Sequence, residues 1–185
     1  MTYWARCTAN STGAISYLPT NVDMQRIRTT RISRHNMERT GYRLPNYTGS
    51  AILDMTAQKR AEYLASINKA THERPGSGNQ GYYNYKSIKS RFTGMKIDFP
   101  QDKTGIPNFT ENLARNTYKC KKADCTDDLI NALKKGFAFF MSEKKYRGSH
   151  YKAIINKQFT IMGMGIGVTW SRYYVVTHYA TQIIK

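Results

Sequence analysis

The sequence predicts an α+β fold in which helices flank a mostly antiparallel sheet within a single domain. Three observations lead there. Apolar and small residues recur at helical spacing in segments before residue 71 and again after residue 125. Strand-like alternation occupies 109–114, and two stretches of high β propensity close the chain at 161–168 and 173–180. Hydrophobic residues make up 40% and charged residues 22%, the balance of a globular chain and too apolar for a disordered one.

The elements follow in order. Residues 1–20 are rich in Thr, Ser, Asn and Gly without a sustained period and read as an N-terminal surface tail, leaving 21–185 as the folded unit. A helix is expected from Asn21 to about Thr40, with Ile32, His35 and Arg39 on one face and a solvated, Arg-rich opposite face. Turn residues Pro45, Asn46 and Gly49 lead into a second helix from about Ile52 to Ala70. Its Ala57, Ala61 and Ala65 recur every four residues, which lets a helix lie close against a neighbour. Residues 73–108 form a long irregular insertion rich in Tyr and Lys. In the strand at Phe109 to Ala114, Glu111 falls on the apolar face with Phe109 and Leu113. A carboxylate so placed must be paired or hydrogen-bonded. Thr126 is expected to cap a third helix that ends near Glu143, and Ser149 a short fourth one that opens with His150. In the strand at Ile161 to Val168, Gly163, Gly165 and Gly167 make one smooth face, a sign that a backbone, helix or ligand approaches closely.

Charge is the unusual quantity. Twenty-nine Lys and Arg against twelve Asp and Glu give +17, a field that attracts an anionic surface, glycan or lipid headgroup alike. In the insertion, Tyr82, Tyr83 and Tyr85 lie beside Lys86, Lys89 and Arg91, a ligand-binding candidate for polyanions. The competing reading is that tyrosines pin a long loop onto the core. No stretch approaches the ~20 apolar residues that span a bilayer, and no signal peptide is recognisable in Met1 to Asn10. Cys120 and Cys125 enclose only Lys121 to Asp124, a spacing equally suited to a local disulfide or to two reduced thiols. No second cysteine pair completes a zinc set, and Cys7 is left over.

Four elements end in a titratable residue: His72, Glu111, Glu143 and His150. Two imidazoles and two carboxylates can bind a divalent ion or perform acid–base chemistry. The segments around them resemble, in order, the elements of the CAP superfamily of cysteine-rich secretory, antigen-5 and pathogenesis-related 1 proteins. His35-Asn36-Met37-Glu38-Arg39 is similar to the first-helix HNxxR element. Thr71-His72 stands where the family has its first cavity histidine. Thr110-Glu111-Asn112-Leu113-Ala114 resembles the GENLA strand, and Phe140-Met141-Ser142-Glu143 the WxxE element. Gly148-Ser149-His150-Tyr151, continued by Ile154-Ile155-Asn156, Phe159 and Ile161 to Gly165, is similar to the bacterial-type ending. Three departures stand out: Thr110 for glycine, Phe140 for tryptophan, and Ser149 between Gly148 and His150.

The resemblance implies a three-layer α-β-α sandwich whose central cleft is lined by the His72, Glu111, Glu143 and His150 tetrad. It implies that His72 and His150 hold zinc or another divalent cation weakly. It implies a secreted or cell-surface protein, its export signal not part of this sequence, that acts as a non-enzymatic interaction module, with a lipid, sterol or glycan among its ligands. Two other functions are compatible with the residues. One is a metal-dependent hydrolase in which Glu111 or Glu143 is the general base. The other is a glycan- or nucleic-acid-binding polyanion binder that never uses the cleft, nucleic acid being the disfavoured partner. Neither His35 nor His178 is expected to be a ligand; packing on the first helix and a satisfied sheet position account for them.

Overall fold

The computed structural model describes residues 17–73, 92, 94–103, 105 and 108–184. Helix α1 (Met24–Gly41) starts at Asp23, whose carboxylate accepts from the Arg26 amide. The chain then forms the short strand β1 (Thr48–Gly49), helix α2 (Ala51–Ser66) and strand β2 (Phe109–Thr117). Helix α3 (Thr126–Ser142) runs into a 3-10 turn at Glu143–Tyr146 and is followed by the short helix α4 (Ser149–Ile154). Strands β3 (Ile161–Val168) and β4 (Arg172–Ala180) close the fold.

The sheet order is β1-β3-β4-β2, with β1 parallel to β3 and every other pair antiparallel. Helix α2 covers one face, packing Ala57, Ala61, Leu64 and Ala65 against Tyr174 and Val176. The other face is covered by α1 and α3, where Ile27, Leu129, Ile130 and Leu133 meet Met164, Ile166, Val168, Tyr173 and Val175. Three layers result, with apolar clusters on both sides of the sheet. The alanine stripe and the glycine face meet one another. A Cβ on Gly165 would fall 2.2 Å from the Gln58 backbone, so α2 lies on β3 at a distance only glycine allows.

Several local expectations are corrected. Helix α2 stops at Ser66 rather than near Ala70. Thr126 does not cap α3; the cap position is Cys125, and the Thr126 hydroxyl accepts from the Asp23 amide, tying the starts of α1 and α3 together. Ser149 does not cap α4 either, because Gly148 takes that position. The buried stripe of α1 is Ile27, Arg31, His35 and Arg39, so a second arginine joins the face expected to be buried. Arg31 is buried with its guanidinium 4.8 Å over the Phe137 ring, a contact that strengthens as water is excluded. Phe92 and Phe99 of the insertion are buried against Phe109. Cys120 and Cys125 are joined in a disulfide.

The two outer edges of the sheet are treated differently. Antiparallel pairing leaves alternate residues of an edge strand with outward backbone groups. On β3 the outward positions from Met162 to Val168 are met from outside the sheet. Ser50 donates to Met162 O, and the Met164 amide donates to Asp54 Oδ1 at 2.7 Å while Arg28 donates to its carbonyl. Gln58 both accepts from the Ile166 amide and donates to its carbonyl, and the Val168 amide donates to Tyr17 O. Side chains of α1 and α2 thus replace a missing strand, one way of closing an edge.

The HNxxR segment works as three anchors. The His35 Nδ1–H donates to Arg31 O at 2.8 Å and its Nε2 accepts from the Tyr179 hydroxyl at 2.8 Å. Asn36 pairs both ways with the Tyr47 backbone, fixing the turn before β1. Arg39 is fully buried and donates to the carbonyls of Pro45, Ile154, Asn156 and Phe159. Burial, with the Arg31 charge adding to it, holds the His35 pKa well below its ordinary 6.5. The sign follows. Above pH 6.5 the ring is neutral folded and unfolded, whereas below it the unfolded chain takes up a proton that the fold excludes. Stability is therefore expected to fall by about 1.4 kcal/mol per pH unit below 6.5 from this group. Urea midpoints measured from pH 7.5 to 5.5 should drop more steeply in wild type than in His35→Gln; equal slopes would refute this.

Candidate functional site

The four cleft residues assemble as two His–carboxylate pairs on opposite faces of β2. On the α2 face, Glu111 is buried and sits directly across the sheet register from His178. Its Oε1 accepts from His72 Nδ1 at 3.0 Å and its Oε2 from His178 Nε2 at 2.9 Å. The buried Arg60 places its Nε 3.8 Å from the same oxygen. Arg60 also donates to the carbonyls of Thr71 and Glu73, so it positions the segment that carries His72. Thr56 meets the remaining nitrogen of His178 at 2.9 Å. One buried carboxylate thus organises two imidazoles and a guanidinium, the pairing a buried charge requires.

On the other face, the 3-10 turn after α3 reverses the chain through Arg147, a left-handed residue at φ 53°. That reversal returns His150 onto Glu143. Glu143 Oε1 accepts from His150 Nδ1 at 2.7 Å and Oε2 from the His150 amide at 3.1 Å. Phe140 stacks on the His150 ring at 4.2 Å with 5° between planes, so the flat face that tryptophan would offer is kept by phenylalanine. Asn112, next to Glu111 but facing the opposite layer, donates to His150 O and to the Tyr179 hydroxyl. Through Tyr179 the second pair is connected to His35 on α1.

Gly148 is required by this turn. A Cβ there would lie 2.3 Å from Glu143 Oε2 and 2.7 Å from the Tyr146 ring. Gly148→Ala is expected to keep the fold but push the carboxylate off His150, at a cost of about 1–2 kcal/mol. A urea midpoint equal to wild type would show that the close approach is unimportant.

A carboxylate can only accept, so Nδ1 is the donating nitrogen in both His72 and His150, and Nε2 is the nitrogen turned away from the carboxylate. That is the orientation in which a carboxylate prepares an imidazole for a metal ion. Imidazole nitrogens are suitable donors for zinc or a similar divalent ion. Among the described residues, no group of three or more His, Cys, Asp or Glu is arranged to hold an ion.

Beside the second pair lies an open groove of about 930 Å³, lined by the outer edge of β2, by Asn131, Lys135 and Phe139 of α3, and by His150. The predicted insertion residues Tyr82, Tyr83, Tyr85, Lys86, Lys89 and Arg91, and Cys7, fall outside the described residues. Sequence reasoning missed Arg60, Asn112 and the role of His178. The signal for Arg60 was a lone cation within an Ala- and Leu-rich helix face.

Comparison with known proteins places the chain. A model of the cysteine-rich secretory protein family (CAP) matches residues 32–183. No curated protein sequence matches. Among solved structures the chain is similar to an outer surface protein of Borrelia burgdorferi, at 15% identity over 86% of this chain and 96% of that one, with a TM-score of 0.59. It is similar to an extracellular SCP-domain protein of Bacillus anthracis, at 18% identity and a TM-score of 0.51, over 85% of this chain but only 41% of that one. NaASP2, crystallised with Zn2+, shares 13% identity over 89% of this chain and 84% of its own, with a TM-score of 0.56. At such identities the structural likeness speaks for the fold, and the family match covers most of the sequence: the chain belongs to the cysteine-rich secretory protein (CAP) family.

Proposed function

We propose that this chain is an exported, non-enzymatic CAP domain that works at a cell surface or outside the cell as an interaction module. Its basic surface docks on an anionic partner, and the imidazoles of its cleft take a divalent ion weakly. The observation that carries the non-catalytic reading is the engagement of both carboxylates. Both oxygens of Glu143 accept from His150, and those of Glu111 accept from His72 and His178. A hydrolase of this type needs a carboxylate poised on an attacking water, with an ion held by three protein ligands. The net charge of +17 supports the anionic partner. Similar proteins are described as extracellular or as outer surface proteins, which supports export. No helix among the described residues is long and apolar enough to cross a membrane.

Retention on heparin should fall steeply between 50 and 500 mM salt, by roughly the slope that released counterions dictate. Salt-independent retention, or none, overturns the docking reading. For the cleft, calorimetry with zinc should give weak binding that His72→Ala and His150→Ala each abolish. No heat in wild type removes the ion, and unchanged affinity in both variants puts it elsewhere.

A further inference from the structure

We propose that the outer edge of β2 is a strand-addition site, which takes an extended, acidic peptide segment of a partner protein as a fifth strand of the sheet. The inference deepens the interaction-module reading and rests on it, by naming the partner's chemistry and the place where it binds.

The contrast between the two sheet edges is the starting point. The Met162 carbonyl, both backbone groups of Met164 and Ile166 and the Val168 amide of β3 are met by Ser50, helix side chains or Tyr17. On β2 the pairing parity can be read directly. Tyr118 donates its amide to Ser171 O, and Thr181 donates to Asn108 O. Even-numbered positions therefore bond β4, and the amides and carbonyls of Leu113, Arg115 and Thr117 point away from the sheet. Among the described residues these groups meet no backbone or side-chain partner. Arg115, Asn116 and Thr117 are exposed.

An open edge alone often faces only water. Here it faces the 930 Å³ groove, whose lining includes every residue from Leu113 to Lys119. Five residues of strand span about 17 Å. The groove is walled on both faces of the edge: Asn131, Lys135 and Phe139 of α3 stand on one side, and Ala70 beyond α2 on the other. An added strand would thus pair its backbone with β2 and set alternate side chains against each wall, which is how strand addition combines affinity with selectivity. Phe139, 60% exposed in the groove, offers an apolar contact for one of those side chains.

Charge selects the occupant. Arg115, Lys119 and Lys135 line the groove. Its one acidic residue, Asp128, is already paired with Lys122 at 2.9 Å. A second copy of this chain carries the same +17 and is repelled. An acidic strand is attracted, and cations on an edge strand discourage unselective pairing.

The test uses the full chain and a fluorescent decapeptide of alternating Glu and Val. Its companions are the same peptide N-methylated at alternate residues, and an alternating Lys and Val peptide. The Glu–Val peptide should raise anisotropy on binding, while the N-methylated and Lys–Val peptides bind at least about tenfold more weakly. The amides of Leu113, Arg115 and Thr117 should exchange quickly in the free protein and become protected by the peptide. Lys119→Glu with Lys135→Glu should also weaken binding about tenfold without changing the fold. Thr117→Pro removes one outward donor while leaving the β4 ladder intact and should do likewise; if it unfolds, the N-methylated peptide carries the same test.

Equal binding of the N-methylated peptide, protection of the three amides in the free protein, or no binding of the Glu–Val peptide overturns the proposal. If that peptide fails while salt-sensitive heparin retention persists, strand addition falls and the interaction module stands. Loss of both removes both. Concentration-dependent self-association through this edge would instead make a second copy the occupant, and would equally overturn the proposal.

Discussion

Gly165→Ala is expected to destabilise the fold by about 4 kcal/mol or more. The new Cβ would sit 2.2 Å from Gln58 Cα and N and 2.3 Å from the Ala57 carbonyl carbon. These are backbone atoms in the middle of α2, so no side chain can swing away to make room. The helix has to lift, and lifting it separates Ala57, Ala61 and Leu64 from the sheet. It also pulls Gln58 and Asp54 off the β3 backbone. Overpacking alone costs about 1–3 kcal/mol. Adding the lost contacts brings the change to about 4 kcal/mol or more, a large share of the roughly 5–15 kcal/mol that holds a domain folded. Gly41→Ala is the control, because nothing lies within 4 Å of a Cβ there. Circular dichroism melts of both variants decide the matter. A Gly165→Ala melting temperature within a few degrees of wild type would show that the helix can rise at little cost.

Arg39→Ala should destabilise by about 4 kcal/mol. One planar guanidinium satisfies four carbonyls on two separate loops and lies 4.0 Å over the Tyr47 ring. Removing it leaves buried acceptors at Ile154 and Phe159 without their donor, each costing about 1–3 kcal/mol where water cannot reach. Burial lowers the Arg39 pKa from its ordinary value, and the four hydrogen bonds are the partners that a buried charge requires. Arg39→Lys should recover little, since an ammonium offers three donors on one point and cannot fork across both loops. Urea midpoints of the two variants test this. A lysine variant within about 0.5 kcal/mol of wild type would mean that charge, and not the fork, holds the loops.

Periodicity made much of the fold legible. The alanines of α2 and the glycines of β3 each announced a close approach, and they approach one another. Inward alternation placed Glu111 on the buried face, where it needed the partners it has. What stayed hidden depends on pairs distant in the chain. Nothing local marks Arg60 as the cation beside Glu111, or His178 as its cross-strand neighbour. Thr126 and Ser149 looked like helix caps because the residue type suits the role. In the fold the Thr126 hydroxyl serves α1, and the glycine before Ser149 fits where Glu143 leaves no room for a Cβ. Arg31 shares the four-residue stripe of His35 and Arg39, but spacing alone did not name Phe137 as the ring beneath its guanidinium. The site shows the same division: its four side chains were readable as members of a resembling series, but their arrangement in two pairs came from the strand between them.

The helix side chains that close the β3 edge also bear on the order in which the protein is made. The caps on Met164 and Ile166 come from residues 110 and 108 positions earlier in the sequence. A β3–β4 hairpin is a local structure and forms in microseconds once both strands exist. Were its edge to wait for a partner synthesised later, it would be exposed for as long as translation took, at about 5–20 residues per second. Here α2 leaves the ribosome first, so the edge emerges with its cover already made. A circular permutant that places α2 after β4 would reverse that sequence of events, and its nascent chains should aggregate even though the finished fold is the same.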